Sequence, residues 1–146
     1  MVRSYDDGAA ADAEYTRRMV TIHEEPDCGN SPRKEILRDL VVALAQRDVE
    51  HLEAVLDEDV SWTVVGEQTV SGRAAARGMA LALPPADELT FGTFLTHGRG
   101  AGVDGVLRLA DGGETAFCHV LRFKSTAKTA KVADINSYLI KVSGES

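Results

Sequence analysis

The 146-residue chain has two cysteines, Cys28 and Cys118. That is too few for a disulfide framework, and they read as free thiols of a reducing cytoplasm. No apolar run approaches the roughly 20 residues that a membrane-spanning helix needs. The first residues, MVRSYDDGAAADAEY, lack an apolar stretch and are acidic, so they do not read as a secretory signal. Positive charge is also short: the formal net charge is −7. Nucleic-acid binding calls for a basic stripe to neutralise phosphates, and the small clusters Arg17-Arg18 and Arg33-Lys34 read as solvated surface instead. A soluble cytoplasmic protein with neither a nucleic-acid nor a membrane partner is expected.

What is present is enough apolar sequence, 44%, for one hydrophobic core in one domain. Residues 1–11 are polar and small. Over residues 12–22, Tyr15, Met19 and Ile22 recur at helical spacing, which predicts a short amphipathic helix, although the β-branched run Val20-Thr21-Ile22 opposes it. The segment HEEPDCGN (residues 23–30) reads as a loop. Ser31 followed by Pro32 is a helix start, and Ile36, Leu37, Leu40, Val41 and Leu44 form one apolar stripe behind it. Asp48 begins a second helical piece that Asp57-Glu58-Asp59 closes. From Val60 the period becomes two, giving a strand to Val65, a turn at Gly66-Glu67 and a short return strand. A third helix runs from Ser71-Gly72 to Leu83, where Pro84-Pro85 ends it. Residues 89–97, 103–109, 114–124 and 132–142 are four alternating segments with short connections, the pattern of an antiparallel meander. Helices first and strands last predict the α+β class.

The order and lengths of these elements resemble the nuclear transport factor 2-like superfamily, which includes ketosteroid isomerases and SnoaL-like polyketide cyclases. The resemblance is carried by Leu40-Val41-Val42-Ala43-Leu44 with Asp48-Val49-Glu50, and by Asp59-Val60-Ser61-Trp62 with Gly66. It continues through Ser71-Gly72-Arg73, the strand Phe117 to Phe123, and Ile135-Asn136-Ser137-Tyr138. It covers residues 32–142. The stretch before it resembles a bacterial branch with such an extension, so the expected division is an extension over 1–30 and the superfamily domain over 31–146. The resemblance implies a cone: helices packed on a curved antiparallel sheet, a mostly apolar pocket for a small molecule inside, and a homodimer through the outer sheet face. No cofactor is implied.

The ketosteroid isomerases carry a carboxylate base on the first long strand. Here that stretch is Trp62-Thr63-Val64-Val65-Gly66, so Thr63 stands in the base's place and that activity is not expected. Where those enzymes hold a neutral acid on a late strand, the chain has His119, within His119-Val120-Leu121-Arg122-Phe123. Strand alternation puts Phe117, His119 and Leu121 on one face. An imidazole there suits hydrogen-bond donation or proton transfer, and His119 is the candidate catalytic residue. The bland alternative is a structural histidine bonded across the sheet. The expected pocket walls are Leu40, Thr63, Val65, Phe117, Leu121, Ile135 and Leu139. Tyr15, Met19, His23 and Cys28 are the expected lid over the open end. His23, Glu24, Glu25, Asp27 and Cys28 are contiguous, and zinc needs ligands converging from separated pairs, so no metal is expected.

Overall fold

The computed structural model describes residues 18–25 and 31–143. Three helices, α1 (Pro32–Gln46), α2 (Val49–Val55) and α3 (Arg73–Ala82), cover one face of a seven-stranded sheet. The strands are β1 (Thr21–His23), β2 (Leu56–Val64), β3 (Gln68–Ser71), β4 (Ala86–His97), β5 (Gly100–Leu109), β6 (Glu114–Phe123) and β7 (Val132–Ser143). Their order across the sheet is β1-β4-β5-β6-β7-β2-β3. The meander β4 to β7 is antiparallel throughout, as expected. β2 then joins β7 in parallel, which brings the early hairpin to the far side of the late strands.

Local chemistry sets the helix limits. Ser31 Oγ accepts the Lys34 N–H at 3.0 Å, and Pro32 occupies the first turn, where its missing N–H costs nothing. The helix ends at Arg47, whose φ of 60° is left-handed. Glycine is the usual residue there, and a side chain in this conformation costs about 1 kcal/mol. Arg47 offsets that cost by donating through Nη2 to the Leu81 carbonyl at 2.8 Å, which ties α1 to the last turn of α3.

Two expectations are corrected. Residues 18–22 are not helical: Thr21–His23 is a strand, parallel to β4, with Ile22 opposite Leu89. The β-branched run wins because the free edge of β4 offers backbone partners to an extended chain. Residues 12–17 lie outside the described residues. The acidic run Asp57-Glu58-Asp59 does not close a helix either, since β2 already begins at Leu56. Glu58 and Asp59 are solvated on a strand, and a loop would have solvated them no better.

The sheet bends at identifiable places. Between Phe91 and Phe94 the register of β4 against β5 shifts, and the freed Thr93 N–H donates to Asp104 Oδ1 at 2.8 Å. A second irregularity lies between Leu56 and Ser61, where β2 meets β7. The concave side so formed holds the core: Leu37, Leu40 and Val41 of α1 meet Trp62, Phe117, Leu121, Phe123 and Ile135 of the sheet, all buried.

Candidate functional site

The inner face of the sheet is apolar where the helices cover it, except at one row. Reading across the strands, Val103 of β5, His119 of β6, Ser137 of β7 and Val64 of β2 are successive cross-strand partners. Among the described residues, His119 and Ser137 are the two polar side chains buried in this core. Ser137 Oγ lies 2.7 Å from His119 Nδ1 and accepts the Trp62 indole N–H at 2.9 Å. A polar group in such a setting must find a partner or destabilise the fold, and this chain satisfies the indole N–H, the hydroxyl and Nδ1 of the imidazole.

Phe117 stacks beside the imidazole, with ring centroids 5.2 Å apart. Its own ring needs the absence of a side chain at Gly105: a Cβ there would lie 2.7 Å from Phe117 Cζ and would collide with the Thr90 carbonyl. Gly105 is thus a notch that lets Phe117 lie flat and sets the stack on which His119 rests. Burial alone pushes the His119 pKa down from 6.5 to about 4, so the ring is neutral at pH 7.

A cleft of about 350 Å³ opens between α3 and the end of the same face. Val64, Met79, Leu83, Leu107 and Leu139 give it an apolar lining, with Thr115, Glu67, Gln68 and Lys141 as its polar groups. Its inner boundary, Val64 and Leu139, adjoins Ser137 along β2 and β7. Apolar walls with a few polar groups are what small organic molecules bind.

The expected wall residues are distributed unevenly. Leu139 lines this cleft, while Leu40, Phe117, Leu121 and Ile135 are buried in the core that closes the cone behind it. Thr63 and Val65 are turned the other way. Strand alternation gives the inward positions to Trp62 and Val64, Thr63 Oγ1 instead pairs with Thr69 Oγ1 at 2.8 Å, and Val65 is exposed. Of the expected lid, Tyr15 and Cys28 lie outside the described residues. Met19 is exposed, and His23 sits on the edge strand β1 with Nε2 3.6 Å from Glu88 Oε2. Neither belongs to the lining of this cleft. Among the described residues, no three His, Cys, Asp or Glu side chains converge as metal ligands would, and no helix is long and apolar enough to cross a membrane.

Sequence reasoning gave Ser137 no role. Its importance comes from the pairing of β6 with β7 and of β7 with β2, which brings residues 62, 119 and 137 together. The cleft residues on α3 were missed for a similar reason: the sequence shows that α3 exists but not which strand end it faces.

Neither a protein-family model nor a curated protein sequence matches the chain. Solved structures do. A candidate ketosteroid isomerase from Kribbella flavida superposes with a TM-score of 0.63 at 21% identity, over 79% of this chain and 82% of that one. An NTF2-like protein of unknown function from Burkholderia xenovorans gives a TM-score of 0.63 at 14% identity, over 80% and 91% of the two chains. The epoxide hydrolase/cyclase-like enzyme SalBIII, which acts in pyran ring formation in the polyether salinomycin, gives 0.58 at 16% identity, over 73% and 89%. At such identities the likeness is one of architecture. With its helices on the concave face of a bent sheet and its late-strand meander, this chain has the nuclear transport factor 2-like fold.

Proposed function

We propose that the chain binds a small, mostly apolar organic molecule inside the cone, with His119 as the polar group that orients it. The observation that carries this reading is a neutral, buried imidazole on the inner sheet face, outside the lining of the open cleft but in the same strand row as Val64, which lines it. Chemistry of the isomerase, cyclase or hydrolase kind, suggested by the names of similar structures, would then use His119 as a hydrogen-bond donor to an oxygen that gains charge. Proton abstraction from carbon by a β2 carboxylate is not part of the proposal. Thr63 holds that place in the strand and turns outward to Thr69.

Trp62 supplies the assay. It is the only tryptophan of the chain, and its indole N–H is bonded to the same hydroxyl that holds His119. Titration with a panel of small cyclic ketones, terpenoids and aromatic alcohols should change its emission saturably and raise the melting temperature, because a ligand that binds the folded state stabilises it. A panel that moves neither signal at millimolar concentration would refute the reading.

A second reading concerns the opposite face. Val120, Tyr138, Ile140 and Val142 project from the convex side, each more than 40% exposed. Together they form an apolar surface of the kind that marks association between chains, and they support a homodimer through the outer sheet. In this version the fold serves as an interaction module, with or without a ligand inside. We place the extension over residues 1–30 and the domain proper over 31–146, with the stretch around β1 added to the edge of that domain.

A further inference from the structure

The Trp62–Ser137–His119 chain restricts the imidazole further than burial does. An indole N–H has no acceptor, so at Ser137 Oγ it can only donate. One lone pair of the hydroxyl is thereby used. What remains on Ser137 is one proton and one lone pair, in a residue with no exposed surface. The partner within reach that can take the proton is His119 Nδ1, at 2.7 Å. If Nδ1 carried a proton instead, Ser137 would accept twice and its own hydroxyl proton would be stranded in the core, at a cost that buried donors seldom bear.

We infer that Trp62 and Ser137 lock His119 as the tautomer protonated at Nε2, so that the ligand atom it meets is an acceptor oxygen: a carbonyl, ether or ester rather than an amine or an acid proton. Ser137 and Trp62 are positioning residues; His119 stands outside the cleft lining, in the same strand row as Val64, and is the polar group that a ligand reaching past Val64 and Leu139 would meet. Nε2 bonds to none of the described residues, yet unlike the Ser137 hydroxyl it is not fully enclosed, so its N–H keeps a way out of the core. The low basicity of the ring agrees with this role, since the neutral form prevails over the whole physiological range. The acceptor class rests on the proposal that the cone takes a ligand; the tautomer does not.

The test has two arms, both on the full-length protein. In the first, nitrogen-15 correlation spectra read which ring nitrogen of His119 bears the proton at neutral pH. Protonated Nε2 and bare Nδ1 are expected. Ser137→Ala should populate both tautomers, and if that variant does not fold, Trp62→Phe should weaken the preference by freeing the hydroxyl. A protonated Nδ1 in the wild type, or a spectrum unchanged by both substitutions, overturns the lock. In the second arm, Trp62 emission compares 4-phenylcyclohexanone with phenylcyclohexane, which share a skeleton and differ by the carbonyl. The ketone should bind roughly tenfold more tightly, the worth of one hydrogen bond, and His119→Phe should erase the difference. Equal binding of the two probes overturns the acceptor class while leaving the cone a ligand site. Binding of neither overturns the ligand reading and the acceptor class together, and the spectra still decide the tautomer.

Discussion

His119 bears most of the titration behaviour that the fold imposes on a single residue. Its pKa falls from 6.5 to about 4 because the core desolvates the charged form, and no described carboxylate compensates. The unfolded chain therefore binds more protons than the folded one between those two values. The stabilisation is complete above pH 6.5 and is lost as pH falls toward about 4, with an upper bound of roughly 3 kcal/mol. Urea unfolding at about pH 7 and about pH 4.5 should show this loss in the wild type, and His119→Phe should shed most of it. Parallel pH profiles for the two proteins would mean that the imidazole is not desolvated as described. At this scale the sequence was partly readable: alternation put His119 on one face with Phe117 and Leu121, the family resemblance pointed that face inward, and all three are buried. It was not readable at Thr63, where a family pattern suggested a wall position and the actual strand phase turned the side chain outward.

At the scale of elements, period and capping residues located the long helices and the late strands, because each carries its own signal. β1 carries almost none. Three residues cannot show a period, and their strand form depends on the open edge of β4, which lies more than 60 positions along the chain. The segment is nonetheless anchored: Val20 is fully buried, the Arg18 N–H donates to the Gln46 carbonyl at 2.9 Å, and Arg38 meets Glu24 at 2.7 Å. The ion pair is partly solvated and contributes little, so Val20 is the anchor that matters. Val20→Ala should cost roughly 2 kcal/mol in chemical denaturation, through the removed methyl groups and the space left behind. Glu24→Gln should cost less than about 1 kcal/mol. A reversed order would show that charge, not burial, fixes the edge strand.

For the whole molecule, the exposed apolar side chains of β6 and β7 make the association state the informative measurement. Light scattering at micromolar concentration should give twice the monomer mass of 15.7 kDa. Tyr138→Asp should shift it toward monomer, because an unpaired charge at the centre of such a face is costly to bury. A wild-type protein that remains monomeric at every concentration would remove the dimer. The resemblance pointed to the outer sheet face for association, but nothing in the sequence showed how far the cone would be filled. Leu40, Phe117, Leu121 and Ile135 were expected around a void and instead pack against one another, which leaves the open volume nearer α3. Filling is decided by how several elements meet, and no single segment encodes it.

The bond from Thr93 N–H to Asp104 Oδ1 has a mechanical meaning for this arrangement. β5 and β6 pair without interruption over their whole length, whereas β4 slips against β5 at that bond and β2 slips against β7. The β5–β6 pair is thus a regular central panel, and the register shifts that crease the sheet lie in the pairings around it, including both ends of β6 against β7. The angle of each crease sets how widely the helices are held from the panel, and so how much space lies beneath them. Moving the β4 crease by two residues would change the central panel at one position only, because the aspartate that takes up the freed N–H stands on β5.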